Sequence, residues 1–255
     1  MDWIAIVSGF GVGAIVGLTG VGGGSLMTPL LLSAFKLNPA VAIGTDLWFA
    51  AVTKAAGSVS HHQAGHVQWR ITGLLLAGSL PASLATIALM HHTGLTPGWA
   101  TALTLSLGVA LLLTALTVAY KRAWQALGLR LQRWIPERRK PLLTVLCGLL
   151  LGVLVSLSSI GAGAIGATLI LLLYPRLKSH QIVGTDIAHA VPLTLVAGIG
   201  HASLGHVNWG LLGTLLIGSI PGIWLGAQLT RKMPERFVRS LLCVALVTAG
   251  LKVIS

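Results

Sequence analysis

The chain is short of charge. Only 9% of its 255 residues are Asp, Glu, Lys or Arg, against about 25% in soluble domains. Acidic residues are scarcest: Asp2, Asp46, Glu137, Asp186 and Glu235 are all there are. So few ionisable side chains cannot cover a surface that faces water, which excludes a soluble enzyme and a disordered chain. Cysteine is nearly absent too. Cys147 and Cys243 lie in apolar runs with no paired spacing, which excludes a disulfide-stapled module and a cysteine-based metal site. The first residues have neither a basic leader nor a small-residue cleavage site, so the first apolar run is expected to be a retained helix rather than a signal peptide. What remains is 55% hydrophobic residues and a mean hydropathy of +0.87. That is the composition of a polytopic membrane protein.

A membrane-spanning helix needs about 20 apolar residues. Runs of that length fall near 40–60, 70–92, 98–120, 181–203, 208–230 and 236–254. Two further apolar regions, 3–35 and 141–175, are broken internally. The first break is Gly20-Val21-Gly22-Gly23-Gly24, and the second is Ser158-Ser159-Ile160-Gly161-Ala162-Gly163. Each break leaves a second piece too short for a comfortable span, as in helices that begin or end inside the bilayer.

Shifting the sequence by 140 positions aligns it with itself. Gly44-Thr45-Asp46 falls on Gly184-Thr185-Asp186, and His61 on His201. Gly65-His66-Val67 falls on Gly205-His206-Val207, and Gly78-Ser79-Leu80-Pro81 on Gly218-Ser219-Ile220-Pro221. Between 44–81 and 184–221 there are 15 identities in 38 positions without a gap. The chain therefore divides into a first repeat (1–120), a basic linker (121–140) and a second repeat (141–255). Each repeat has five helical segments, with broken helices at the glycine-rich loops. An odd number of segments per repeat predicts two repeats of opposite orientation, an all-α inverted-topology architecture. With the linker in the cytoplasm, 14 of the 17 basic residues fall on the inner side, as the positive-inside rule requires. Both termini are then expected on the outer side of the membrane. The formal net charge of +12 describes orientation and contact with the lipid bilayer, not an affinity for nucleic acid.

The two breaks carry the functional argument. Glycine lets a bound group approach the main chain. A helix that begins inside the membrane presents unpaired N–H groups and the positive end of its dipole, which together favour an anion. The candidate binding residues are therefore Thr19, Gly20, Val21, Gly22, Gly23, Gly24 and Ser25 of the first break. Those of the second are Ser158, Ser159, Ile160, Gly161, Ala162 and Gly163. Thr45, Thr185 and Lys54 join them, Lys54 for its positive charge within an apolar run. Close helix packing is the competing explanation for the glycines. Asp46 and Asp186 are the carboxylates well inside apolar segments, a costly placement that marks coupling or a structural bond to N–H groups at a helix break. His61, His201 and His189 complete the candidates for coupling or gating. No zinc spacing, catalytic triad or cofactor motif is present, so neither a metal nor an enzymatic role is expected.

These residues, taken as a set, resemble the TauE/SafE family of sulfite and organosulfonate exporters. The resemblance rests on Gly-Leu-Thr-Gly-Val-Gly-Gly-Gly-Ser (17–25), Gly-Thr-Asp (44–46), Gly-His-Val (65–67) and Gly-Ser-Leu-Pro (78–81), with their second copies. It implies a bacterial inner-membrane permease for small sulfur-containing anions, exported rather than imported. The inverted repeats add the expected mechanism, alternating access with substrate at the midplane between them. The alternatives are an anion channel and a permease for another small anion. Whether the chain forms a homo-oligomer stays open at this level. The second break departs from the fuller glycine pattern, which makes the two half-sites unequal.

Overall fold

The computed structural model describes residues 3–19, 24–94, 97–229 and 235–254. Helices account for nearly all of them, and no strand occurs among the described residues. In chain order the helices are α1 (Trp3–Thr19), α2 (Gly24–Ser33), α3 (Pro39–Gln63), α4 (Trp69–Thr93), α5 (Pro97–Ala119) and α6 (Lys121–Leu131). A single 3-10 turn, Glu137–Arg139, leads to α7 (Lys140–Ser158), α8 (Ala164–Leu173), α9 (Ser179–Ser203), α10 (Trp209–Leu229) and α11 (Glu235–Ile254). Five described helices are long and apolar enough to cross a membrane: Trp69–Thr93, Gly98–Ala119, Glu137–Ser158, Ser179–Ser203 and Trp209–Gly226. Helix α3 matches α9 in length, and it carries one charge that α9 lacks, Lys54 in place of Thr194.

Polarity is distributed inside out. Leu84, Leu105, Leu142, Ile217 and Val244 face outward and are largely exposed, while Asp46, Lys54, Asp186, His189 and His201 are buried. Only a hydrocarbon surround makes that arrangement favourable.

The second break is a real interruption: α7 stops at Ser158 and α8 starts at Ala164. At the first, α1 is described to Thr19 and α2 from Gly24, and residues 20–23 lie outside the described residues. The short helices α2 and α8 have 10 residues each, about 15 Å of rise, or half of a hydrocarbon core about 30 Å thick. Helix α8 folds back on α7. The Tyr174 hydroxyl, just past its end, is 2.8 Å from that of Thr144, in the second turn of α7. The pair is a helical hairpin.

The main helix pairings between the halves have counterparts. Helix α1 packs on α10 and α7 on α4; α3 also packs on α10, and α9 on α4. The remaining central pairs, α3 with α9 and α5 with α11, join equivalent helices. Helices α3 and α9 run antiparallel. Trp48, early in α3, donates to the Gly198 carbonyl late in α9 at 2.9 Å, and His66, just past α3, stacks on His180 at the start of α9.

The two strongest pairings are glycine seams. At Gly9 and Gly13 in α1, an added Cβ would strike the Leu215 and Ser219 carbonyls of α10. At Gly148 and Gly152 in α7, it would strike those of Leu75 and Ser79 in α4. The partner helices reciprocate: Gly218 meets the Ile6 carbonyl and Gly78 that of Val145. In lipid, such close backbone approach supplies the van der Waals contact that holds helices together. The glycine of each Gly-Ser-Leu/Ile-Pro motif is therefore a packing residue.

A substitution pair separates packing from helix propensity. Gly→Ala in an unobstructed helix stabilises by up to about 1 kcal/mol. Gly11→Ala, where nothing lies within 4 Å of the new Cβ, is expected to raise the melting temperature in detergent slightly. Gly152→Ala is expected to lower it, since overpacking costs about 1–3 kcal/mol. Equal shifts in the two variants would contradict the seam.

Candidate functional site

Helix α3 starts where its sequence says it can. The Asn38 side chain accepts the Val41 amide at 2.9 Å, an N-cap with Pro39 in the first helical position. Asp46 follows two turns in and Lys54 two turns later, about 12 Å further along the same helix face. Both are buried, and both meet elements of the broken helices.

The second break connects them. From Ser159 to Gly163 the chain leaves the helix. Ser159 closes α7 in the left-handed region at φ 58°, and Gly161 and Gly163 take φ of 135° and 149°, values that L side chains rarely adopt. This non-helical stretch passes along α3. The Ser159 hydroxyl lies toward Asp46, short of a formal hydrogen bond. The Lys54 ammonium donates to the Ala162 carbonyl. The Gly163 amide lies against Asp186, whose carboxylate also fills the space beside Gly166, where a side chain would collide with it. Asp186 thus sits at the N-terminal end of α8, where amides are unpaired and the helix dipole is positive. Asp46 has the matching place on α2: the Thr28 hydroxyl and amide both bond its carboxylate. Lys54 interacts electrostatically with both carboxylates, Asp186 first. Asp46 Oδ1, Asp186 Oδ1, Ser159 Oγ and His189 Nδ1 are buried without a hydrogen-bond partner.

The other candidates divide between two ends of the α3–α9 pair. At the end near the linker helix α6, the Thr185 hydroxyl accepts the Gln68 amide at 3.0 Å, and Gly184 packs on His61 and His66. At the far end, the Thr45 hydroxyl accepts the Asn208 amide at 3.0 Å, and Gly44 packs on the His206 carbonyl and His201. Each Gly-Thr-Asp motif is thus docked on the Gly-His-Val loop of the other half. The loops share one build. His66 and His206 return their amides to the His61 and His201 carbonyls, Gly65 and Gly205 have positive φ, and the paired Nδ1 atoms are 3.4 Å apart in both. His201 Nε2 is 2.9 Å from the Ser156 carbonyl. Burial lowers the His206 pKa from its ordinary value.

The sequence-derived set is therefore spread along α3, α9 and the second break rather than gathered at one point. Ser158 spends its hydroxyl on the Leu154 carbonyl and the Ile160 amide. Gly20, Val21, Gly22 and Gly23 lie outside the described residues; Thr19 ends α1, and Gly24 and Ser25 open α2. Sequence reasoning missed Thr28 and gave Ser79 no role. Ser79, on α4, is 2.9 Å from His189 Nε2. Its place in the repeated Gly-Ser-Leu-Pro motif was a usable signal, whereas nothing in the sequence marks Thr28. Phe49 stands where a second copy of His189 would be, so the half with Ser219 lacks that bond. Among the described residues no group of His, Cys, Asp or Glu could hold a metal ion.

A family model described as "Sulfite exporter TauE/SafE" matches residues 5–253. A "Probable membrane transporter protein YjnA" of Bacillus subtilis is 38% identical over 98% of both chains. A second B. subtilis protein, "Probable membrane transporter protein YdhB", is 29% identical over 95% of this chain and 96% of its own. A "Probable membrane transporter protein" of Xylella fastidiosa is 28% identical over 90% of this chain and 85% of its own. No solved structure matches at a significant level.

The docked threonines give a paired test. Thr45→Val and Thr185→Val keep the shape and remove the acceptor. Each is expected to cost about 1 kcal/mol, a fall of about 2–4 °C in melting temperature. The two losses are expected to add, because the sites are far apart. An unchanged melting temperature in the double variant would contradict the cross-half bonds.

Proposed function

Because the chain belongs to the sulfite exporter TauE/SafE family of membrane transporters, we propose that it carries small sulfur-containing oxyanions, sulfite or an organosulfonate, out of a bacterial cell. One observation carries this reading. A glycine-rich non-helical segment (159–163) runs through the protein interior beside a buried lysine. Non-helical backbone at membrane depth is tolerated where it is buried in protein or lines a cavity, and such breaks hold transporter substrates.

The anion lies between the two breaks, held by backbone amides and by the Ser159 hydroxyl, with Lys54 supplying positive potential. Asp46 and Asp186 brace α2 and α8 from behind, and a proton taken up by either would lower the negative charge that an incoming anion meets. His61, His201 and His189 remain candidates for that coupling. The halves are inverted copies: equivalent helices α3 and α9 run antiparallel, and the basic linker lies on the cytoplasmic face. Rocking one half against the other, with the Gly-Thr-Asp and Gly-His-Val contacts as seams, alternates access. An inside-negative potential drives a monoanion outward by about 2.3 kcal/mol per 100 mV, so export needs little coupling.

Purified protein in proteoliposomes tests this. Sulfite or an organosulfonate such as sulfoacetate is expected to show saturable counterflow, and chloride is not. Gly163→Val forces a side chain into a backbone conformation that only glycine adopts comfortably (φ 149°) and is expected to abolish flux while the protein still inserts. Normal flux in that variant would overturn the site, and non-saturable flux without counterflow would make the protein a channel.

A further inference from the structure

The linker is basic, but it is not merely a tether. Residues 121–131 form α6, and its sides differ. On a helical projection at 100° per residue, Lys121, Gln125, Arg122 and Arg130 fall on one arc, interrupted by Ala126 and the exposed Leu129, and Arg133 continues it in the turn that follows. Trp124, Leu127, Gly128 and Leu131 fall on the other. Seven basic residues and one acidic residue occupy 121–140, and the single acid, Glu137, is already paired with Lys140.

The apolar arc has two neighbours. Part of it seats on the second half-helix. An added Cβ on Gly128 would come within 3.0 Å of the Leu171 carbonyl and 3.2 Å of Leu172 Cα, and Trp124 packs on the cluster of Ile71, Leu75, Ile170 and Leu171. Leu127 on this arc is 40% exposed, and Trp134, in the turn between α6 and the membrane-crossing helix that follows, is 84% exposed. An indole that open near the start of a membrane-crossing helix suits the boundary between headgroups and acyl chains.

We propose that α6 lies in the plane of the membrane surface and binds anionic phospholipid, and that through Gly128 this lipid contact positions α8. Charge complementarity selects the occupant. Four cations on one arc above an apolar edge match a negatively charged headgroup layer, where each Lys or Arg raises partitioning by roughly fivefold at low salt. The functional consequence follows from the packing. Helix α8 carries Gly163 at its N-terminal end and the α6 contact at Leu171–Leu172, so a lipid that holds α6 also fixes the position of the second break.

The full-length protein, reconstituted in equal phosphatidylglycerol and phosphatidylcholine and then re-extracted, reports which lipid it retains. Phosphatidylglycerol is expected to be enriched severalfold with the native chain. The enrichment is expected to fall at least threefold in an R122Q/R130Q/R133Q variant, whose exposed substitutions leave the fold intact by melting temperature. A W134A variant is expected to lose part of the enrichment at unchanged charge. No enrichment with the native chain, or equal enrichment in the triple variant, would overturn the proposal. The retention measurement needs no transport, so its outcome is independent of the substrate assignment.

Discussion

Interrupting a helix inside a bilayer frees backbone groups that lipid cannot satisfy, and the rest of this structure is arranged around that constraint. Between Ser158 and Ala164 the chain gives up helical bonding. Its polar groups are met by the protein itself: Ser158 bonds both sides of its own turn, Lys54 bonds the Ala162 carbonyl, and Asp186 lies against the Gly163 amide. The buried charges that looked anomalous in the sequence are thus distributed along the segment whose exposure to hydrocarbon would be most costly. The same groups leave buried oxygens and a ring nitrogen without partners. Unpartnered buried polar atoms of this kind are rare in folded proteins, and they lie beside the segment proposed to hold the anion.

Around this interior the halves are held by two devices of different character. Glycine seams fix α1 to α10 and α4 to α7 through backbone contact, a non-directional attraction that tolerates no added methyl group. The Gly-Thr-Asp motifs fix α3 and α9 to loops of the opposite half by directional hydrogen bonds. Both devices join one half to the other. Neither half therefore owns its own supports, and a movement of one against the other must be accommodated at both.

The all-helical class, the interruption at 159–163 and the buried Asp and Lys residues were legible in the sequence, because apolar run length and glycine clustering leave little choice in a bilayer. The N-cap at Asn38 is legible for a local reason, an Asn directly before the helix-starting Pro39. The swapped docking was not. Self-alignment pairs Gly44-Thr45-Asp46 with Gly184-Thr185-Asp186, but each motif touches the other half's histidine loop rather than its own copy. A repeat reports likeness and says nothing about which copies meet. The fold-back of α8 also needed coordinates, since 10 apolar residues fit an incomplete span and a re-entrant turn equally. Residues 121–140 read as a charged linker because the arginines dominate the composition; the apolar arc of α6 shows only once Gly128 is seen against Leu171.

The central claim is that the segment from Ser159 to Gly163 forms part of the anion site. Replacing Cys147 and Cys243 and placing one cysteine at Ser159 would test it directly, through the rate of thiol modification in proteoliposomes. The account predicts that sulfite or an organosulfonate, but not chloride, slows modification in proportion to occupancy. A rate unchanged by every anion that the protein transports would contradict it.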